Sequence, residues 1–259
     1  AYLISLEGRA NGWMVLGFSL ALLLSISGCT VINMIIDRDI DSCMTRTARR
    51  PLVTGALTAR QAAVFAGALS LAGLGLAFGL SWRTGLVIAA GFAFDLGLYS
   101  LWLKRRTALS ILFGGISGGM PALAGRVLAV GQIDLIGLLL ALSILLWIPS
   151  HIVTLSIKYR TDYERAGVPV WPGVYGEPAA RRFIALANLL NAATLVACGV
   201  LLGIARPALI LLALSAGAMV ALALAGILRP SERLTWALFK AASIYMLLSF
   251  LLITFGAVV

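Results

Sequence analysis

Residues Trp13 to Gly55 read WMVLGFSLALLLSISGCTVINMIIDRDIDSCMTRTARRPLVTG. From 13 to 35 there is not one charged side chain. At about 1.5 Å per residue such a helix is about 35 Å long, enough to cross the roughly 30 Å hydrocarbon layer of a bilayer. Polarity then reverses at once. Asp37, Asp39 and Asp41 are followed by Arg46, Arg49 and Arg50, with Arg38 among the acids. The stretch therefore reads as a membrane span with a charged mouth.

The rest of the chain agrees. It is 61% hydrophobic and 12% charged, with a mean hydropathy of +1.02. A soluble domain has about 25% charged residues. Eight spans are expected, at 13–35, 58–80, 84–103, 108–128, 133–157, 182–203, 207–228 and 236–258. The apolar runs are continuous, which points to helices and away from the alternating strands of a β-barrel. The fold class is thus an all-α, polytopic bundle, read as one integral-membrane domain over 1–259. The chain starts at Ala1 without a methionine, so part of a first helix is expected to be missing. No signal peptide is visible.

A net charge of +10 would suit nucleic acid in a soluble protein. Here the basic residues sit in short loops between apolar segments, as topology signals and lipid-headgroup contacts do, and no nucleic-acid partner is expected. The loops 36–57 with Arg60, 104–107, 158–182 and 229–235 carry 15 of the 20 Lys and Arg residues. Arg9, Arg83, Arg126 and Arg206 fall on the other side, and Lys240 lies within the last span. Positive residues stay inside, so the charged loops are placed on the cytoplasmic face of the plasma membrane. Cys29, Cys43 and Cys198 share no CxxC spacing, so neither a disulfide nor a zinc site is expected.

Three loops on that face carry chemistry. In the first, Asn33, Asp37 and Asp41 are four apart and would share one face of a continuing helix. Carboxylates at that spacing repel unless a cation lies between them, and hard oxygen ligands suit Mg²⁺, which bridges one or two carboxylates to a substrate phosphate. Asp39 points off that face, with Arg38 and Arg46 for company. The second loop, YSLWLKRRTALS (Tyr99–Ser110), offers Tyr99, Lys104, Arg105 and Arg106 to a diphosphate, although basic residues at a helix end also serve as plain membrane anchors. Asp95, four residues before Tyr99, is expected to line the same cavity. In the third, WIPSHIVTLSIKYRTDYERAGVPVWPGVYG (Trp147–Gly176), Asp162 and Glu164 add carboxylates. Pro169 and Pro172 rule out a continuous helix and leave a cap over the site. His151, the only histidine, lies within an apolar span, where ionisable groups are costly and tend to be functional. Arg38, Arg46, Arg50, Lys158 and Tyr159 complete the expected substrate-binding set. Together the loops could hold metal and diphosphate above an apolar interior that holds a hydrocarbon tail and excludes water from a carbocation.

These motifs resemble those of the UbiA superfamily of intramembrane prenyltransferases, over nearly the whole chain. NMIIDRDIDSCMTRTARRPLVTG (Asn33–Gly55) is similar to its first aspartate-rich motif. YSLWLKRRT with GGISGGMPALAG (114–125) is similar to the second, and DYERAGVPVWPGVYG to the third. Within the superfamily the motifs look like those of the protoheme IX farnesyltransferase (haem O synthase) family. The resemblance implies nine helices around a central cavity open laterally to lipid, one more than the eight counted. It implies Asn33, Asp37 and Asp41 as ligands of Mg²⁺ and diphosphate, Tyr99, Lys104 and Arg105 as diphosphate contacts, and Asp162 as a second metal ligand or acceptor-positioning group. Asp37, Asp41, Asp162 and His151 are the expected catalytic residues. The donor is expected to be farnesyl diphosphate and the acceptor a lipophilic molecule such as haem B. Pro149-Ser150-His151-Ile152-Val153 departs from the haem family's usual P-P-H-F-W, and Thr161-Asp162 from two adjacent aspartates. Other acceptors therefore stay open: an aromatic acid, a glycerol phosphate lipid, or cyclisation of the prenyl chain itself. A cation transporter with an acidic mouth is the remaining alternative.

Overall fold

The structure is a computed structural model that describes residues 2–3 and 11–257. Arg9 and the last residue of the expected span 236–258 lie outside them. Among the described residues there are helices and turns and no strands. Among these residues, eight helical segments are long and apolar enough to cross a membrane.

The first, α1 (Gly12–Ile36), starts where Asn11 Oδ1 accepts from Trp13 N at 3.0 Å. That bond satisfies one of the donors a helix start leaves open. Two short helices follow, α2 (Arg38–Cys43) and α3 (Pro51–Thr54). Pro51 sits at the first turn of α3, where a missing N–H costs nothing, and Gly55 ends it with φ +80°, a left-handed geometry that favours glycine. Helix α4 (Ala59–Leu80) opens on a Thr58–Gln61 capping box.

The third span changes character halfway. It runs as α5 (Trp82–Phe92) and continues as a π-helix, π1 (Ala93–Leu103). After α6 (Ser110–Val130), the fifth span runs as α7 (Leu135–Ile148), a second π segment, π2 (Pro149–Val153), and α8 (Thr154–Lys158). Pro149 cannot donate to the preceding turn, and the helix widens there. Helices α9 (Arg160–Arg165) and α10 (Trp171–Tyr175) form the loop, and α11 (Glu177–Leu201), α12 (Arg206–Leu228) and α13 (Glu232–Gly256) complete the bundle.

The core has two large parts and a small cluster of Ile40, Met44 and Val168 at the charged end. One joins α7, α11, α12 and α13 around Leu140, Leu195, Leu212 and Ile253, all fully buried. The other joins α1, α4, α5 and α6 around Phe18, Ala77, Val87 and Val127. The halves meet where α6 packs on α7. With little hydrophobic force between helices in lipid, close backbone approach has to hold them, and small residues permit it. At Gly119 a Cβ would lie 2.6 Å from the Ala141 carbonyl oxygen, so no larger residue fits without moving α7.

Eight spans running alternately up and down bring the expected charged loops to one end. At the other end one ion pair stands, between Arg126 and Asp134. Arg126 forks onto Asp134, with Nη2 to Oδ2 at 2.6 Å, and holds that carboxyl below its usual range. Asp134 also caps α7 through Gly137 N, at 2.8 Å. Arg83 donates to Gly131 O at 2.7 Å.

Candidate functional site

The first motif folds as its spacing predicts, with one kink. Helix α1 stops at Ile36 and α2 begins at Arg38, yet Asp37 N still donates to Asn33 O and Asp41 N to Asp37 O, at 2.9 and 2.8 Å. The four-residue repeat is therefore kept, and Asn33, Asp37 and Asp41 all face one cavity of about 420 Å³. That size is ordinary for a small-molecule site. Asp37 and Asp41 are 7% and 5% exposed.

Each carboxylate has a cation of the chain beside it. Lys104 Nζ pairs with Asp37 Oδ2, and Arg50 Nη1 with Asp41 Oδ2 at 2.5 Å. The repulsion implied by the sequence spacing is thus answered by the protein itself. What remains is Asp37 Oδ1, buried and without a hydrogen-bond partner. A buried oxygen left unmatched costs about 1–3 kcal/mol, more for a charged group. Among the described residues no three His, Cys, Asp or Glu side chains group to hold a metal alone. The donor set therefore does not fit a protein-only cage. It does fit Mg²⁺, which takes one or two carboxylates and completes its shell with phosphate oxygens and water.

The second motif reaches the cavity because of π1. Lys104 N donates to Tyr99 O, five residues back, at 2.8 Å. On an α-helix Asp95 and Lys104, nine apart, would face about 180° from each other. The wider turn keeps Asp95, Ser100 and Lys104 on one side, each bonded to α1 or to Asp37 just after it. Asp95 Oδ2 accepts from Cys29 Sγ and Asn33 Nδ2, Ser100 Oγ donates to Asn33 Oδ1, and Lys104 pairs with Asp37. Tyr99 also lines the cavity, and its ring lies 3.2 Å from where a Cβ on Gly114 would be. The glycine of the GGISGG stretch is what seats that ring.

The third segment closes the cavity. Val168, Pro169, Val170 and Trp171 line it, and Trp171 stacks on Phe183 of α11 at 4.0 Å. His151 lines it from π2, sandwiched between Trp147 and Phe239 at 4.9 and 4.5 Å. Its Nδ1 lies 3.4 Å from Ser243 Oγ.

Of the expected residues, Asn33, Asp37, Asp41, Arg46, Arg50, Tyr99, Lys104 and His151 share this cavity. The others stand elsewhere. Contrary to the expectation, Asp95 does not line it with Tyr99. It lines a second, mostly apolar cavity of about 360 Å³ with Leu22, Ile26, Ile88, Phe92 and Met120, and Asn33 and Thr30 border both. Asp162, 5% exposed, spends its Oδ2 on Thr45, whose N and Oγ1 donate at 3.1 and 2.5 Å. It pins the loop that carries Arg46. Asp39 takes neither Arg38 nor Arg46 as partner. Arg105 forks onto it at 2.6 and 2.8 Å, and this holds its carboxyl down at about 2. Arg105 thereby faces outward, and Arg38 lines an outer groove with Asp39. Lys158 lies over the Trp236 ring at 4.0 Å in a separate groove of about 500 Å³, Tyr159 caps α8, and Glu164 pairs with Arg160.

Sequence reasoning missed Tyr163, Ser100 and Thr45. Tyr163 lines the cavity beside Arg46, and burial pushes its hydroxyl above the usual range while Arg46 pulls the other way. The only available signal was adjacency, to Asp162 for Tyr163 and to Tyr99 for Ser100.

Comparison with known proteins places this geometry. Residues 1–251 match the model of the UbiA prenyltransferase family. The chain is 37% identical over 250 residues to a protoheme IX farnesyltransferase of Pyrobaculum neutrophilum, covering 96% of this chain and 90% of that one. A solved structure of a digeranylgeranylglyceryl phosphate synthase superposes with a TM-score of 0.82 at 21% identity, over 99% of this chain and 90% of the other. A UbiA homologue of Archaeoglobus fulgidus, bound to DMAPP and Mg²⁺, superposes with a TM-score of 0.69 at 14% identity, over 97% and 93%. These two likenesses concern the fold. The family match covers nearly the whole chain: it belongs to the UbiA prenyltransferase family and is a multi-pass membrane prenyltransferase.

Proposed function

We propose that this chain transfers a farnesyl group from farnesyl diphosphate to haem B, giving haem O, in a Mg²⁺-dependent reaction at the cytoplasmic side of the plasma membrane. The observation that carries the reading is the pair of cavities meeting at Asn33, one lined by carboxylates and cations and the other by apolar side chains. An allylic diphosphate has that same division.

Asp37 and Asp41 are the residues to hold Mg²⁺, with Asn33 beside them. The ion supplies positive charge to the leaving diphosphate. Lys104, Arg50, Arg46 and the Tyr99 hydroxyl donate to its oxygens, and charge-assisted bonds of this kind are about twice as strong as neutral ones. The C1–O bond breaks with both electrons going to the diphosphate, and the tail lies in the apolar cavity. The Val168–Trp171 cap keeps water from the allylic cation until the acceptor's vinyl π electrons form the new bond to C1; water then adds to the cation left on the acceptor and loses a proton, which supplies the hydroxyl of the product. Asp162 acts at one remove by holding the Arg46 loop. His151, with both ring faces covered by Trp147 and Phe239, presents its edge to the cavity where the acceptor would sit. The haem family's aromatics after this histidine are absent here, and the stack comes from α7 and α13 instead. The relatives named protoheme IX farnesyltransferase favour haem over other acceptors.

The test is incubation of the purified chain with farnesyl diphosphate, Mg²⁺ and haem B, followed by mass spectrometry. The expected product is haem bearing a hydroxyalkyl-farnesyl group, with release of one diphosphate. Release of diphosphate only with an aromatic acid or a glycerol phosphate lipid would reassign the acceptor. No release with any acceptor would remove the proposal.

A further inference from the structure

We infer that Asp95 is a positioning residue that fixes which end of the Asn33 amide faces the diphosphate cavity. The inference rests on the proposed function and concerns how the first motif is oriented.

Asp95 is an acid inside a membrane span, where such a group is costly and needs a role. It has no ion pair among the described residues, and two neutral donors converge on its Oδ2 instead. Cys29 Sγ lies at 3.1 Å and Asn33 Nδ2 at 2.5 Å from Oδ2, while Ser117 Oγ, whose shorter bond goes to Gly114 O at 2.7 Å, lies 3.2 Å from Oδ1. A carboxyl group is rich in acceptor lone pairs, and Asp95 Oδ2 takes the Asn33 NH₂ at 2.5 Å. Asn33 thus turns its NH₂ toward Asp95, and its oxygen is left on the other side. There Ser100 Oγ donates to it at 2.7 Å.

A carbonyl oxygen has two lone pairs, and Ser100 occupies one. Asn33 lines the charged cavity one helical turn before Asp37, whose Oδ1 is buried and unpartnered. With the amide held this way, α1 presents oxygen beside oxygen to a cation. With the amide reversed, two N–H donors would face it. Nothing about asparagine alone chooses between these states, since its two ends are nearly the same size. Asp95 makes the choice, and π1 makes Asp95 and Ser100 reach the same amide. Groups that orient a metal ligand in this manner are worth about 10- to 100-fold in affinity.

The experiment measures calorimetric binding of inorganic pyrophosphate to the detergent-solubilised full chain, with and without Mg²⁺. The variants are Asp95→Asn, Asp95→Leu and Ser117→Ala, each checked for its thermal midpoint. Asp95→Asn keeps the shape but lets either end of Asn33 pair with it. It is expected to weaken Mg²⁺-dependent binding about 10- to 100-fold, while the Mg²⁺-free binding carried by Lys104 and the arginines stays. Ser117→Ala removes a hydroxyl that lies beside the other carboxylate oxygen and donates to Gly114 O, and it is expected to leave pyrophosphate binding unchanged. Asp95→Leu is expected to match Asp95→Asn if it folds. Wild-type Mg²⁺-dependent affinity in Asp95→Asn overturns the inference. So does equal loss in Asp95→Asn and Ser117→Ala with a lowered midpoint in both, because that means general packing. A wild-type chain that binds no pyrophosphate in either condition overturns the proposed function, and the inference with it.

Discussion

Single residues carry unequal weight at the charged end, and burial decides which. Asp37 and Lys104 form a pair largely out of water, as do Asp41 and Arg50 on the carboxylate side. Under the proposed roles, Asp37→Ala and Asp41→Ala each lose at least about 100-fold in turnover, comparable to removing a preorganised charge-stabilising group elsewhere. Diphosphate release at saturating Mg²⁺ checks this, and full turnover in either variant would remove that residue from the metal site. Asp39 is the contrast. Its side chain is 65% exposed, so its pair with Arg105 contributes about 0.2–1 kcal/mol at most. Arg105 depresses its carboxyl from 3.8 to about 2. That contribution is full above the unfolded value and is lost as pH falls through the folded one. Thermal melts of Asp39→Asn and wild type should therefore differ slightly at neutral pH and converge in strong acid. Divergence on acidification would contradict the pairing.

At the scale of elements, the π-helix is what the sequence hides. AFDLGLYSLWL contains no proline and, Asp95 and Ser100 apart, stays apolar or aromatic, so nothing in it marks the change from one hydrogen-bond ladder to another. Its consequence is that Lys104, not Arg105, enters the cavity. A run of basic residues at a helix end cannot reveal which one faces inward unless the pitch is known. Deleting Leu101, an exposed residue of π1, tests this. It should rotate Lys104 off α1 and abolish activity while circular dichroism keeps its helix content. Retained activity would mean the pitch is not what positions the lysine. Hydropathy gave the eight spans well, because apolar length is the signal a bilayer imposes. The poorest boundary, 182 against Glu177 for α11, has a simple cause. Arg181 looks like loop in the sequence, but it bonds Glu177 at 2.5 Å within the first turns of the helix. The acidic face of α1 was legible because i, i+4 spacing survives the kink. Asp162 was legible as important, yet its partner Thr45, 117 positions away, was not. Helix packing gives a further prediction. Gly119→Ala drives a Cβ onto the Ala141 carbonyl and should cost about 1–3 kcal/mol, whereas Gly67→Ala meets nothing within 4 Å and should cost none. Thermal midpoints in detergent would compare the two.

For the whole molecule, the account requires one charged face and one membrane orientation. Cys43 is the cysteine that is not buried, and it lies on α2 at the charged end. A membrane-impermeant maleimide should label it in inside-out vesicles and spare it in intact cells. The opposite pattern would reverse the proposed orientation. The most direct measurement is an experimental structure of the chain with Mg²⁺ and a farnesyl diphosphate analogue that resists ionisation. Density for a metal about 2.0–2.1 Å from an Asp37 or Asp41 oxygen, with phosphate on Lys104 and the tail beside Phe92, is the predicted result. Diphosphate bound instead in the Lys158–Trp236 groove, with no metal on α1, would contradict the account.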